Sequence, residues 1–198
     1  MQWIGGAPEK QATLYGTHLS LTDNVEAIKI FHAWFIHKKA FAMTERYINP
    51  HTDFGFKRLF GSEFNKDLLI SFLNALFVGE QTVKEVTFLN SEQLGERRDS
   101  RRAIFDVYCQ NEQGDRFIVE MQNVYQEFFK DRTVYYSTFP IREQSKRGEE
   151  WDYHLDSVYT VGLLNFVFDE DKDDKDCFHH EVKLMDVVKK TVFYDKLA

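Results

Sequence analysis

Cysteine, net positive charge and long apolar runs are scarce in this chain of 198 residues, and each shortage closes off a class of protein. Two cysteines, Cys109 and Cys177, neither in a CxxC pair, are too few for a disulfide framework or a structural zinc site, and they indicate a reduced, intracellular chain. No apolar run approaches the roughly 18 to 20 residues that span a bilayer. The opening residues lack the charged-then-apolar pattern of a signal peptide, so the expected location is the cytoplasm, with no membrane partner. With 25 Lys+Arg against 32 Asp+Glu, the net charge of -7 excludes a uniformly basic protein that coats nucleic acid, so any DNA contact has to be local. What is present is a core: 43% of the residues are hydrophobic and 16% aromatic.

The composition changes near Met43. Residues 1–42 carry three His and clustered aromatics but no sustained amphipathic period beyond a short helix at Asn24 to His37, and they read as an N-terminal extension. Either Met1 or Met43 can be the start. From Asn49-Pro50 the punctuation is clear. Thr52 can cap a helix from Asp53 to Phe60, which Gly61 stops. Leu68, Leu69, Phe72, Leu73 and Leu76 form one apolar stripe on a second helix between Asn65 and Phe77. Val83 to Leu89, Ile104 to Cys109 and Arg116 to Gln122 are short and rich in β-branched and aromatic residues, which predicts three strands. A long helix is expected from Val124 to about Phe139, and a central strand from Val158 to Phe168. The run at 169–176 holds six acids and two lysines and reads as a solvated loop. Val182 to Val188 and Thr191 to Tyr194 predict one or two more strands, and the chain then ends in mid-pattern.

The segments around Asp106 and Glu120 carry the chemistry. Alternation along a strand sets Phe105, Val107 and Cys109 on one face and Asp106 on the other, and sets Glu120 and Gln122 opposite Phe117, Val119 and Met121. A hairpin symmetric about Gln113 places Asp106 directly opposite Glu120, each seven residues from that centre, with Cβ atoms ~4.5–5.5 Å apart. Facing carboxylates repel unless neutralised. A hard divalent cation such as Mg²⁺ would neutralise them, keep waters of its own, and stabilise charge on a phosphoryl oxygen. Gln122 can position a water or donate to a phosphate, but it cannot act as a base. The same residues also fit a solvated sheet face paired to arginines, and Asp53 fits a plain first-turn acid on the helix dipole.

The stretches NPHTDFGFKRLFGSEFNKDLLISFLNALF, IFDVYCQNEQGDRFIVEMQ and FFKDRTVYYST, in that order, resemble the PD-(D/E)xK nuclease family transposases, also called recombination-promoting nucleases. The resemblance runs from about Tyr47 to the C-terminus. It implies an α/β restriction-endonuclease-like core, with a mixed central β-sheet flanked by helices, over residues 43–198. It also implies Mg²⁺-dependent (Mn²⁺ as substitute) endonuclease cleavage of DNA and a bacterial mobile-element origin. Carried onto this sequence, it makes Asp106 and Glu120 the metal ligands, Asp53 the N-terminal acidic residue, and Gln122 the occupant of the position that holds lysine in the general motif. Phe105 stands where the nominal motif has proline. Members continue beyond the point where this chain stops, so the resemblance also implies a shortened C-terminus, with a catalytically inactive remnant or a non-enzymatic interaction domain as the alternative. The DNA-contact candidates are Arg97, Arg98, Arg101 and Arg102, then Lys57 and Arg58 near Asp53, and Lys146 and Arg147 in a loop. A homodimer is left open.

Overall fold

Side-chain alternation and helix caps account for most of the element boundaries. The computed structural model describes residues 2–4, 48–77, 79, 81–93, 103–145, 152–174 and 178–198. The arginine cluster at 97–102, Lys146 and Arg147, the helix expected at 24–37 and the change of composition at Met43 lie outside them.

Helix α1 (Asp53–Phe60) begins where expected: the Thr52 hydroxyl accepts from the Gly55 N–H at 3.0 Å, and the Gly61 N–H closes the last turn on the Lys57 carbonyl at 2.8 Å. Helix α2 (Lys66–Leu76) follows a single 3-10 turn and buries Leu69, Phe72, Leu73 and Leu76. Phe60 bridges the two helices, with its ring 4.9 Å from Phe56 and 5.4 Å from Phe72.

The main sheet has six strands: β1 (Gln2–Ile4), β2 (Val86–Phe88), β5 (Val107–Asn111), β6 (Arg116–Gln122), β7 (Val158–Leu164) and β8 (His179–Glu181). Their spatial order is β2-β5-β6-β7-β1-β8, with β6, β7 and β1 parallel and the others antiparallel to their neighbours. Strand β7 is central, as its sequence predicts. All seven of its residues are buried, which is the signature of a strand covered on both faces. Its start also pairs with the chain's last residues, where the Thr160 N–H donates to the Ala198 carbonyl at 2.7 Å. Two small ribbons complete the strand set, β3 (Glu92–Gln93) with β4 (Ala103–Ile104), and β9 (Leu184–Asp186) with β10 (Thr191–Tyr194).

Helix α3 (Phe129–Glu143) crosses from β6 to its parallel neighbour β7. It starts five residues later than the expected Val124, because the intervening segment turns instead of coiling and its Gln126 carbonyl accepts from Phe129 N–H at 3.2 Å. It also runs past Phe139 through Pro140 to Glu143. The larger core lies between α1, α2 and one sheet face, and includes Phe56, Phe60, Leu69, Leu73, Val107, Cys109, Phe117, Val119 and Val161. The other face packs Phe105, Tyr108 and Ile118 against Phe139 of α3. This is the mixed sheet flanked by three helices that the sequence led us to expect.

One expectation about facing fails. Phe105 does not share a face with Val107 and Cys109; it belongs to the α3-side cluster with Tyr108, its ring 5.3 Å from Tyr108 and 5.1 Å from Tyr136. The expected strand from Ile104 to Cys109 is broken at Phe105 and Asp106, with β4 ending before the break and β5 starting after it. The bend reverses the alternation, so that Asp106 projects toward α1.

Candidate active site

The hairpin β5–β6 has the register its symmetry predicts, with Val107 opposite Val119 and Cys109 opposite Phe117. Its turn is fixed by the buried Asn111. The Asn111 side-chain oxygen accepts from the N–H groups of Gln113 (3.0 Å) and Asp115 (2.9 Å), and Gly114 takes a φ of 99°, which a residue with a side chain adopts at a cost.

Continued one step past Val107, the same register brings Asp106 to Glu120, but the link there runs through side chains. The Asp106 N–H donates to Glu120 Oε1 at 3.1 Å, and Asp106 Oδ2 accepts from the Met121 N–H at 2.8 Å. Each carboxylate replaces a backbone acceptor at the point where the ladder opens. Glu120 is 5% exposed, and burial, reinforced by the Asp106 charge, pushes its carboxyl up to about 8. Asp106 is raised as well, chiefly by burial, against the lowering effect of its bond from Met121.

Helix α1 adds the third carboxylate. Lys57, one turn after Asp53, reaches Asp53 Oδ1 at 3.0 Å and Asp106 Oδ1 at 3.2 Å, so its ammonium bridges the helix to the sheet. Burial opposes the charge on Lys57, but the two carboxylates outweigh it and raise its pKa. Asp53, largely exposed, is lowered, first by its bond with Lys57, and it lies within hydrogen-bonding reach of Asp106. Gly55 allows this placement. A Cβ there would lie 1.9 Å from the Asn49 carbonyl oxygen, so only glycine lets the turn at Asn49–Thr52 close against α1.

A family model described as PD-(D/E)XK nuclease family transposase matches residues 50–198. The chain belongs to this family. No curated protein and no solved structure matched it in the corresponding comparisons. The match spans all three carboxylates, both helices of the larger core and the β5–β6 hairpin, so the family's nuclease theme falls on the part of the fold just described.

The structure thus brings together Asp53, Lys57, Asp106 and Glu120, while Arg58, one position on, is exposed and outside the cluster. Gln122 lies two residues beyond Glu120 with both ends of its amide engaged: Nε2 donates to the Val124 carbonyl at 3.1 Å and Oε1 accepts from Arg132 Nη2 at 2.6 Å. Arg132 of α3 escapes a sequence reading altogether. Its second amino group donates to Gln126 Oε1, its guanidinium lies over the rings of Phe129 (5.3 Å) and Tyr136 (5.7 Å), and its charge is felt at Glu120. The only local signal was its position, one turn before Tyr136 on the same helix face.

The donor set consists of hard carboxylate oxygens, which fits Mg²⁺ or Mn²⁺ better than a softer metal. Among the described residues no group of three or more His, Cys, Asp or Glu is arranged as a metal cage. Asp106 and Glu120 are the residues that could hold such a cation, which would have to keep most of its water. Among the described residues no helix is long and apolar enough to cross a membrane.

Proposed function

We propose that this family member is a divalent-metal-dependent DNA endonuclease in which Asp106 and Glu120 hold the metal and Asp53 supplies the third acidic group. The observation that carries the reading is the pair at the open end of the hairpin, where buried Glu120 and partly buried Asp106 are linked through backbone N–H groups and the Lys57 ammonium pairs with both Asp106 and Asp53. When bound, Mg²⁺ supplies a polarised water and stabilises charge on the phosphodiester.

The chain's own residues do the rest. Cross-bonding to Met121 and Asp106 N–H groups fixes the orientation of both carboxylates, so no reorganisation is needed as substrate arrives. Lys57 offsets part of the acid charge and is the lysine available to a phosphate oxygen beside Asp106. Gln122, held at both ends, acts by positioning its neighbours. DNA contacts outside the acidic centre are assigned to Arg58 and, on the sequence alone, to Arg97, Arg98, Arg101, Arg102, Lys146 and Arg147. A DNA substrate and a sequence with two cysteines, neither in a CxxC pair, fit a cytoplasmic protein.

Supercoiled plasmid incubated with Mg²⁺ tests the reading. Nicking or linearisation is expected, and it should vanish in Asp106→Ala and Glu120→Ala. Cleavage that persists in both variants would remove the pair from the mechanism.

A further inference from the structure

We propose that Arg132 is the anion-binding residue of the site and takes a phosphate oxygen of the DNA strand. The inference rests on the DNA-cleaving reading above.

Positive charge around the site is balanced in different ways. The Lys57 charge is met by Asp53 and Asp106, and Arg116 donates to Glu143 at 3.2 Å. Arg132 differs: both of its hydrogen-bonding partners, the side-chain oxygens of Gln122 and Gln126, are neutral amides, and no carboxylate of the described residues lies within ion-pair distance. A half-buried guanidinium pays for desolvation, and the usual remedy is a carboxylate. Here the remedy is two amide oxygens and the faces of Phe129 and Tyr136, which hold the group in place and leave its charge unspent. Its Nε is buried without a hydrogen-bond partner. Each amino group has a second N–H beyond the one it gives to an amide, so the planar fork retains donors matched to two phosphate oxygens.

Position completes the case. Arg132 is bonded to Gln122, two residues from Glu120, and its charge reaches Glu120 without pairing to it. A phosphate bound there lies beside the acidic pair. Because lysine is absent from position 122, this fork from α3 brings fixed positive charge to that end of β6.

The test is metal-free binding of a short fluorescent DNA duplex in chelator, followed by anisotropy over a range of salt concentrations. Arg132→Gln should weaken binding on the order of tenfold and lower the salt slope by about one counterion. Arg132→Lys, which keeps the charge but not the fork, should keep the wild-type slope and bind several-fold more weakly; it stands in if the glutamine variant does not fold. Wild-type affinity and slope in Arg132→Gln would overturn the assignment to Arg132 while leaving the nuclease reading intact. A wild-type protein that binds no duplex in chelator would overturn this inference, while plasmid cleavage with Mg²⁺ decides the nuclease reading separately.

Discussion

Asp106 and Glu120 hold each other through the backbone: the Asp106 N–H donates to the Glu120 carboxylate, and the Asp106 carboxylate accepts from the N–H of Met121, the residue after Glu120. Two acids that would repel across a hairpin are kept together because each satisfies a backbone donor that the broken ladder leaves exposed.

This arrangement makes metal-free stability depend on pH. Glu120 titrates near its usual 4.5 when unfolded and at about 8 when folded, so between those values the folded chain holds a proton that the unfolded chain has released. Stability should therefore fall as pH rises from about 4.5 to about 8 and flatten above. Glu120→Gln keeps an acceptor for the Asp106 N–H and removes the charge. Urea denaturation in chelator should show it more stable than wild type by roughly 2–4 kcal/mol above pH 8, with no gain near pH 4. Equal pH profiles would remove Glu120 as the source.

At Asp106 two substitutions separate charge from hydrogen bonding. Asp106→Asn retains an acceptor for the Met121 N–H, and Asp106→Ala leaves that donor unmet at the edge of the core. Both should abolish plasmid cleavage. The alanine variant should be less stable than the asparagine variant by about 1–3 kcal/mol in chemical denaturation.

Gly55→Ala should be costly although it adds one methyl group. The new Cβ would meet the Asn49 carbonyl oxygen at 1.9 Å, so the turn has to open, and α1 carries Asp53 and Lys57 away from Asp106. A loss of at least about 2 kcal/mol is expected, together with reduced cleavage under conditions where the variant remains folded.

Tyr108 provides a contrast within the cluster under α3. Its buried hydroxyl donates to Glu143 Oε2 at 2.5 Å, and Glu143 keeps Arg116 as a second partner. Tyr108→Phe should cost about 1–2 kcal/mol and leave cleavage unchanged. Thermal melting and the plasmid assay together check this, and a large loss of cleavage at full folding would show that the Tyr108–Glu143 contact itself supports the site.

Much of the fold is legible in the chain because its signals are local. Thr52 and Gly61 bracket α1, Arg116 to Gln122 is a strand with the expected bounds, and the symmetry about Gln113 is enough to bring Asp106 to Glu120. Helix α3 was legible as a helix but not at its start, since Val124 to Phe128 is as apolar as the helix that follows and only the Gln122 and Gln126 contacts to Arg132 show why it turns.

The sequence by itself determined which residues form the hairpin and which two acids meet at its open end, because register follows from a period of two and one turn. Tertiary structure decided the rest of the site. The bend at Phe105 and Asp106 depends on Phe105 being drawn under α3 beside Tyr108 and Tyr136, a burial that outweighs strict alternation. The meeting of Lys57 with Asp106, and of Arg132 with Gln122, joins each helix to the sheet. Such contacts depend on how the helices dock on the two sheet faces, and no pattern within a single segment records that docking.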